Sequence, residues 1–109
     1  MQVDFSKIEV KALKNFKGGE GELRAQMYVD DLNKIMHAIL PSGSSIGEHV
    51  HEDSSEIIYI MSGHGSVIDD GVRKPLEAGM CHYCPKGHSH SVINDSDGEL
   101  EVFAVVPNQ

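Results

Sequence analysis

Three side chains in the middle of the chain have the types and the spacing of metal ligands. His49 and His51 are separated by one residue, so on a strand both imidazole rings project from the same face. Their Cα atoms would lie about 6.8 Å apart, and from there both rings can tilt toward one ion at a distance of about 2.1 Å. Glu56 follows after a turn of four residues, and we expect its strand to fold back beside the first. The carboxylate would then reach the same face, which predicts part of a metal site.

A third histidine follows in a segment that contains several backbone-bending residues. Gly79 is followed six residues later by Pro85, and then by Gly87 and by His90, which begins a candidate strand. Glycine and proline fix sharp bends at defined points of the backbone, and such bends position a histidine without taking part in its chemistry. His90 is therefore a further candidate ligand.

The two segments together resemble the two sequence motifs of the cupin family. The first motif is met at every defined position and spacing by Gly43, His49, His51, Glu56 and Gly63. The second is met equally fully by Gly79, Pro85, Gly87, His90 and Asn94. The motifs occupy residues 43–63 and 79–94 and together span about half of the chain. The resemblance implies a small antiparallel jelly-roll barrel in which His49, His51, Glu56 and His90 face inward onto one metal ion.

The alternative is a metal-free barrel that keeps these side chains as buried, hydrogen-bonded polar groups. Three histidines and a carboxylate that converge without an ion would be poorly satisfied in an interior, which favours the metal. Such a donor set suits a divalent Zn, Fe, Mn, Ni, Co or Cu ion. A tetrahedral ion would be filled by four protein ligands. An octahedral ion would keep two positions open for a substrate with two adjacent oxygens, as catalysis requires.

Short strands divided by turn residues surround these motifs and predict an all-β sandwich or barrel. The candidate strands are residues 23–29, 34–40, 47–51, 56–61, 66–69, 80–84, 90–94 and 100–106. Gly63 and Gly65 predict a hairpin between two of them. Helical periodicity is weak, so we expect residues 1–22 to form an irregular or strand-like N-terminal arm. The whole chain, 1–109, has the length of one domain.

Charge and hydropathy limit the partners and the location that we expect. The formal net charge of −8 argues against a nucleic-acid partner, which requires clustered Lys and Arg. Lys7, Lys11, Lys14 and Lys17 do cluster, but glutamates surround them, so we interpret them as a solvated face. The first residues lack the pattern of a signal peptide, and no apolar run is long enough to span a membrane. We therefore expect a soluble cytoplasmic protein without a membrane partner.

The two cysteines and the other four histidines carry weaker signals. Cys81 and Cys84 have the C-x-x-C spacing of redox sites, but residues three apart on a strand point to opposite faces, so we expect two buried, reduced thiols. His64 follows a glycine in the predicted hairpin and is expected to face solvent. Contact with the substrate stays open for the other three, which are His37, His82 and His88.

The resemblance implies either an enzyme or a binding module. Cupins of this kind include isomerases, dioxygenases, decarboxylases and cyclases that act on small polar molecules. We expect a metal-dependent enzyme that acts on a small sugar-like or carboxylated molecule by Lewis-acid chemistry, although the residues single out no catalytic base. The alternative is a non-catalytic, metal-dependent module that binds or senses a small molecule, because the fold alone does not choose the chemistry.

Apolar side chains on both faces of two candidate strands predict a homodimer. If Glu56 faces the cavity, Ile57, Tyr59 and Met61 face outward. Residues 102–106 are also apolar on both faces. A sheet that is apolar on both sides must be covered on both, and the chain has no spare helix to do so. A second subunit is the expected cover.

Overall fold

Ten β-strands make up most of the protein, whose computed structural model describes residues 1–109. The strands are β1 (Lys11–Lys14), β2 (Glu22–Val29), β3 (Asn33–Leu40), β4 (Ser45–Val50), β5 (Glu56–Ser62), β6 (His64–Asp69), β7 (Val72–Glu77), β8 (Cys81–Cys84), β9 (Ser89–Ile93) and β10 (Leu100–Pro107). Two short 3₁₀ turns, Phe5–Lys7 and Phe16–Gly18, precede β2. No helix has the length and the apolar character that a membrane crossing requires.

The strands form two sheets. The six-stranded sheet has the order β1-β2-β3-β10-β5-β8, and the four-stranded sheet has the order β4-β9-β6-β7. Every pairing in both sheets is antiparallel. The prediction of an all-β, antiparallel jelly-roll barrel is confirmed.

The apolar core follows from the alternation of side chains along the strands. On β5, Ile58 and Ile60 are buried, whereas Ile57 and Tyr59, which alternate with them along the strand, are exposed. The same alternation on the other strands supplies a cluster of thirteen buried apolar residues: Leu23, Ala25, Met36, Ala38, Leu40, Ile58, Ile60, Val67, Leu76, Val92, Leu100, Val102 and Ala104. Because Glu56 precedes Ile58 on the same inward face of β5, the carboxylate lies next to this core.

Two predictions of strand pairing are wrong. Strand β5 does not fold back beside β4, because β4 pairs with β9 in one sheet and β5 pairs with β10 and β8 in the other. Strands β5 and β6 do not form a hairpin either, since the chain changes sheets at Gly63, whose φ of +84° favours glycine. A link of a few residues can span the roughly 10 Å between facing sheets, so the length of a turn does not decide which strands pair.

Two strands were missed by the sequence analysis. Strand β7 is an edge strand in which only Leu76 is buried, so it lacks the alternation that marks a half-buried strand. It also contains Pro75, which is tolerated because the outer side of an edge strand needs no N–H donor. Strand β1 lies within the predicted arm and pairs with β2 at the edge of the larger sheet.

The cysteines point to opposite faces of β8, as predicted. Both are free thiols and Cys84 is buried, but the expectation that both are buried is wrong for Cys81, which lies on the exposed face of the strand. Burial, with the nearby charge of Glu56 as the next contribution, raises the pKa of the Cys84 thiol to about 11. The Cys84 thiol therefore stays protonated and unreactive at neutral pH.

Candidate metal centre

The four predicted ligands come from both sheets and meet inside the barrel. His49 on β4 is paired directly with His90 on β9, so these two rings are neighbours on the inner face of the smaller sheet. His51 lies one residue beyond the end of β4, and Glu56 is the first residue of β5 in the facing sheet. The carboxylate thus approaches the histidines from across the barrel.

The ligand atoms of these residues converge on one point. The His90 Nε2 atom lies 3.0 Å from Nε2 of His51 and 3.2 Å from Nε2 of His49. Oε1 of Glu56 lies 3.2 Å from Nε2 of His51 and 3.0 Å from Nε2 of His90. All four ligand atoms lie within 4.8 Å of one another. Three imidazole nitrogens and one carboxylate oxygen at this spacing fit one transition-metal ion.

The other ring nitrogen of each histidine is tied to a separate partner. Nδ1 of His49 lies 2.7 Å from the carbonyl oxygen of Gly47, and Nδ1 of His51 lies 2.9 Å from Oγ of Ser54. Nδ1 of His90 lies 3.0 Å from Nε2 of His82. When Nδ1 donates in these bonds, the lone pair of each Nε2 faces the cluster, as metal binding requires.

Burial and hydrogen bonding favour the protonation states that bind metal. In the metal-free site, burial by itself raises the pKa of Glu56, but hydrogen bonds from Nε2 of His51 and His90 outweigh it and lower the pKa to about 2. A metal ion bound at these nitrogens would take the place of the two protons. Burial is also the main reason that the pKa of His49 lies below its ordinary value, and the neighbouring histidines lower it further. At neutral pH the site therefore offers an ionised carboxylate and a neutral His49 imidazole.

The second motif also supports a ligand of the first. The backbone N–H of Gly87 donates to the carbonyl of His51 at 2.7 Å, and the N–H of His51 donates to the carbonyl of His88 at 3.1 Å. Gly87 has a φ of +88°, so the turn that follows Pro85 needs glycine at this position. The turn residues of the second motif thus fix the backbone that carries His51.

Asn94, the last residue of the second motif, has a structural role away from the cluster. The side chain is fully buried, and Nδ2 donates to the carbonyls of Leu40 and Gly98 at 2.7 and 2.8 Å. Oδ1 accepts a bond from the backbone N–H of Ser96 at 3.0 Å. Asn94 therefore joins the turn before β10 to the end of β3.

A cavity of about 350 Å³ opens beside the cluster. Its wall includes three of the four candidate ligands, His49, His51 and Glu56, together with apolar side chains such as Met36. Two cationic side chains, Lys17 and Lys34, also line it. A volume near the lower end of the ~300–1,000 Å³ range of ligand sites suits a small molecule.

The N-terminal arm builds part of this wall, which the sequence analysis did not predict. The 3₁₀ turn Phe16–Gly18 packs against β4 so closely that a Cβ atom at Gly47 would overlap the carbonyl of Lys17. Lys17 is exposed, as expected of a solvated lysine face, and it also lines the cavity. The glycines at 19 and 47 were the available signal, since glycine marks positions where two backbones approach.

None of the three histidines whose role was open lies on the cavity wall. His37 is on the outer face of the larger sheet, with Nε2 2.6 Å from Oε2 of Glu101. His88 is exposed and pairs with Asp70. His82 is buried behind His90. His64 is exposed, as predicted.

Comparison with known proteins identifies the family. The family model described as a cupin domain matches residues 36–106. The match covers most of the strands, both sequence motifs and the four clustered residues. The chain belongs to the cupin family.

Individual similar proteins come from Thermotoga maritima and Salinispora arenicola. The chain is 35% identical to an oxalate-binding protein of Thermotoga maritima, over 97% of this chain and 93% of that protein. It is also similar to the crystal structure of a predicted oxalate decarboxylase from Thermotoga maritima, with a TM-score of 0.93, 33% identity and full coverage of both chains. A cupin 2 conserved barrel domain protein from Salinispora arenicola aligns with a TM-score of 0.70 and 29% identity, over 97% of this chain and 85% of that chain.

Proposed function

We propose that this cupin holds one divalent transition-metal ion through His49, His51, Glu56 and His90 and binds a small carboxylate such as oxalate beside it. The observation that carries the proposal is the convergence of four ligand atoms within 4.8 Å, each histidine having its Nδ1 bonded elsewhere. When bound, a divalent ion supplies a positive charge that attracts carboxylate oxygens. The donor set admits Zn, Fe, Mn, Ni, Co or Cu.

The cavity supports an anionic ligand of small size. Lys17 and Lys34 add positive charge to a wall that already contains three of the candidate ligands. The volume of about 350 Å³ accommodates a molecule with a few heavy atoms and excludes a polymer. The relative from Thermotoga maritima, which is 35% identical over nearly the whole chain, is named an oxalate-binding protein.

Binding is better supported than turnover by the groups on the cavity wall. A general acid or base must lie within hydrogen-bond reach of the reacting atoms. Apart from Glu56, the carboxylates of the wall are Asp30, Glu52 and Asp53, and all three are exposed. The carboxylate of Asp30 already accepts bonds from the backbone N–H groups of Leu32 and Asn33. The wall thus offers no buried, uncommitted acid or base beyond the cluster.

Catalysis is the second candidate function, as the sequence analysis expected. One observation favours it: the similar crystal structure from Thermotoga maritima is described as a predicted oxalate decarboxylase. Under this hypothesis the same cavity and the same four ligands would serve, with the exposed carboxylates of Glu52 or Asp53 as the available acid–base groups at its wall.

One experiment tests metal content, binding and turnover together. Protein reconstituted in turn with Zn, Fe, Mn, Ni, Co and Cu is analysed for metal and titrated with oxalate by calorimetry, with His51→Ala as the matched control. We expect close to one ion per chain and metal-dependent oxalate binding that the control loses. Product analysis with oxalate, other dicarboxylates, uronates and keto sugars separates the two functions. An absence of metal after all six reconstitutions would refute the proposal.

We also propose that two copies pair through the outer face of the larger sheet. Apolar side chains stay exposed there on β5, β8 and β10: Ile57 (40%), Tyr59 (45%), Met61 (45%), Tyr83 (54%) and Phe103 (36%). Contiguous apolar surface of this kind marks association sites in soluble proteins. The N-terminal segment covers only its margin, where the rings of Phe5 and Phe103 pack edge to face at 6.3 Å.

A further inference from the structure

We infer that His82 is a positioning residue for the metal centre: it accepts a hydrogen bond from Nδ1 of His90 and so keeps the Nε2 lone pair of His90 on the cluster. This inference rests on the proposed metal binding. His82 lies outside the defined positions of both sequence motifs and does not line the cavity. It therefore contacts neither the ligand cavity nor the shared point of the four ligand atoms.

The contact between the two rings joins the two sheets. His82 lies on β8 at one edge of the larger sheet, and His90 lies on β9 in the smaller one. Nε2 of His82 is 3.0 Å from Nδ1 of His90, and both side chains are buried, with exposed fractions of 7% and 1%. The ring planes differ by 23° and the centroids are 5.2 Å apart. Because the two nitrogens, 3.0 Å apart, lie nearly on the line between the centroids, the rings meet edge to edge. This is the geometry of an in-plane hydrogen bond and not of stacked faces.

The direction of this hydrogen bond follows from the role of the other ring nitrogen of His90, Nε2, which faces the ligand cluster. Nε2 of His90 faces Nε2 of His49, Nε2 of His51 and Oε1 of Glu56, so a metal-binding His90 carries its proton on Nδ1. A protonated Nδ1 needs an acceptor, and the one within reach is Nε2 of His82. His82 must then carry its own proton on Nδ1. The single hydrogen bond therefore fixes the tautomers of His90 and His82 together, with the proton on Nδ1 in both rings.

The other two histidines of the cluster show why the partner of His90 matters. Nδ1 of His49 faces a backbone carbonyl, which accepts only, and Nδ1 of His51 faces a serine hydroxyl. Neither partner depends on a distant strand in the other sheet. His90 is the most deeply buried of the three and has no backbone or hydroxyl acceptor for Nδ1. Without His82, its buried N–H would be unpaired, and the tautomer with the proton on Nε2 would compete with metal binding.

Two substitutions at position 82 test the role of the acceptor. His82→Phe keeps a planar ring and removes the acceptor, whereas the side-chain oxygen of His82→Gln can accept from Nδ1 of His90. Competition with a chromophoric chelator measures Zn²⁺ affinity, and the absorption spectrum of the Co²⁺ form reports the ligand field. We expect about a 10- to 100-fold loss of affinity and an altered Co²⁺ spectrum in His82→Phe. We expect His82→Gln to restore most of both.

A core substitution away from the cluster controls for general destabilisation. Leu76 on β7 is buried in the apolar core and lies outside the candidate site, so Leu76→Ala lowers the melting temperature of the metal-free protein and leaves Zn²⁺ affinity unchanged. Wild-type affinity in a folded His82→Phe variant would overturn the role of His82 while the metal site stands. Failure of the wild-type protein to bind any metal would instead overturn the proposed function, and this inference with it.

The wild-type protein supplies a test that needs no substitution. In the Zn²⁺ form labelled with ¹⁵N, nuclear magnetic resonance distinguishes protonated from unprotonated ring nitrogens. We expect Nε2 of His82 to be unprotonated and to show through-hydrogen-bond coupling to Nδ1 of His90. A His82 that carries its proton on Nε2 would refute the inference, whatever the folding of the variants.

Discussion

The histidines that face the barrel interior and those that face outward differ in the partners of their ring nitrogens. Inside, the Nδ1 atoms of His49, His51 and His90 each have an uncharged partner, and their Nε2 atoms converge. Outside, His37 and His88 pair with carboxylates. The inward set thus shares one carboxylate among its histidines, whereas His37 and His88 each have a carboxylate of their own.

The difference shows how the same side chain is used for two purposes. An outward histidine with its own carboxylate forms a partly exposed polar contact, which contributes little to stability. Inward histidines with uncharged partners keep one lone pair each for a common ion, and burial lowers the pKa of His49, which favours its neutral form. Histidine count and spacing do not separate the two groups, but the partners of the two ring nitrogens do.

The largest expected effect distinguishes an inward ligand from an outward neighbour two residues away. His90→Ala removes one of four ligands, and we expect a loss of at least about 100-fold in Zn²⁺ affinity, given the free energy of ~10–16 kcal/mol that four-ligand zinc sites supply. His88→Ala removes an exposed ring that pairs with Asp70 and should leave the affinity within about twofold. Chelator competition measures both. Equal losses in the two variants would contradict the division into inward and outward histidines.

The next largest effect concerns dimerisation through the outer face of the larger sheet, which carries exposed apolar side chains and no candidate metal ligands. Tyr59→Asp places a charge in the proposed dimer interface, and an unpaired desolvated charge costs at least about 2 kcal/mol, or about thirtyfold in the dimer dissociation constant. Light scattering and sedimentation across a concentration series measure the dissociation constant. Metal affinity should not change, because Tyr59 points away from the cluster. A wild-type protein that is monomeric at micromolar concentration would exclude this interface.

A smaller effect separates lysines that line the cavity from one that does not. Lys34→Ala removes a cation from the cavity wall and should weaken oxalate binding by about fivefold, equivalent to about 1 kcal/mol. Lys74→Ala is the matched control, because Lys74 lies on β7 and pairs with Asp69 at 3.2 Å. Calorimetric titration of the metal-loaded proteins measures both. The cavity would not be the oxalate site if the two variants bound equally well.

The smallest effect is the pH dependence contributed by the outward pair of His37 and Glu101. The hydrogen bond from His37 lowers the pKa of Glu101 below its ordinary value. A carboxylate with a lowered pKa in the folded state stabilises the protein above the unfolded value of about 4.3, and this contribution disappears as pH falls through the folded pKa. Glu101→Gln should therefore cost less than about 1 kcal/mol at pH 7 and nothing at pH 2. Urea denaturation at both pH values measures the difference.

The comparison also explains how much of the fold and the site was predictable. Alternation of polar and apolar residues is a local property, so most strands were correctly predicted from the chain itself. The inward direction of Glu56 was implied by the resemblance to the cupin motifs, and the period of two residues then places Ile58 and Ile60 on the same face. Strand β7 was not predicted, because an edge strand buries too few side chains to show the alternation of polar and apolar residues. The four clustered residues were identified by fixed spacing within two motifs.

Only the tertiary structure decided which sheet carries each strand, and much of the site depends on that choice. A period of two residues assigns each side chain to a face but says nothing about its partner across the barrel. Strand β5 lies in the sheet opposite β4, so Glu56 approaches the histidines from across the barrel. Strand β8 lies in the sheet opposite β9, so Nε2 of His82 reaches Nδ1 of His90. The sequence by itself determined the candidate ligands, because their spacing is local. Their hydrogen-bond partners and the lysines of the cavity wall were decided by contacts between segments far apart in the chain, which no local pattern records.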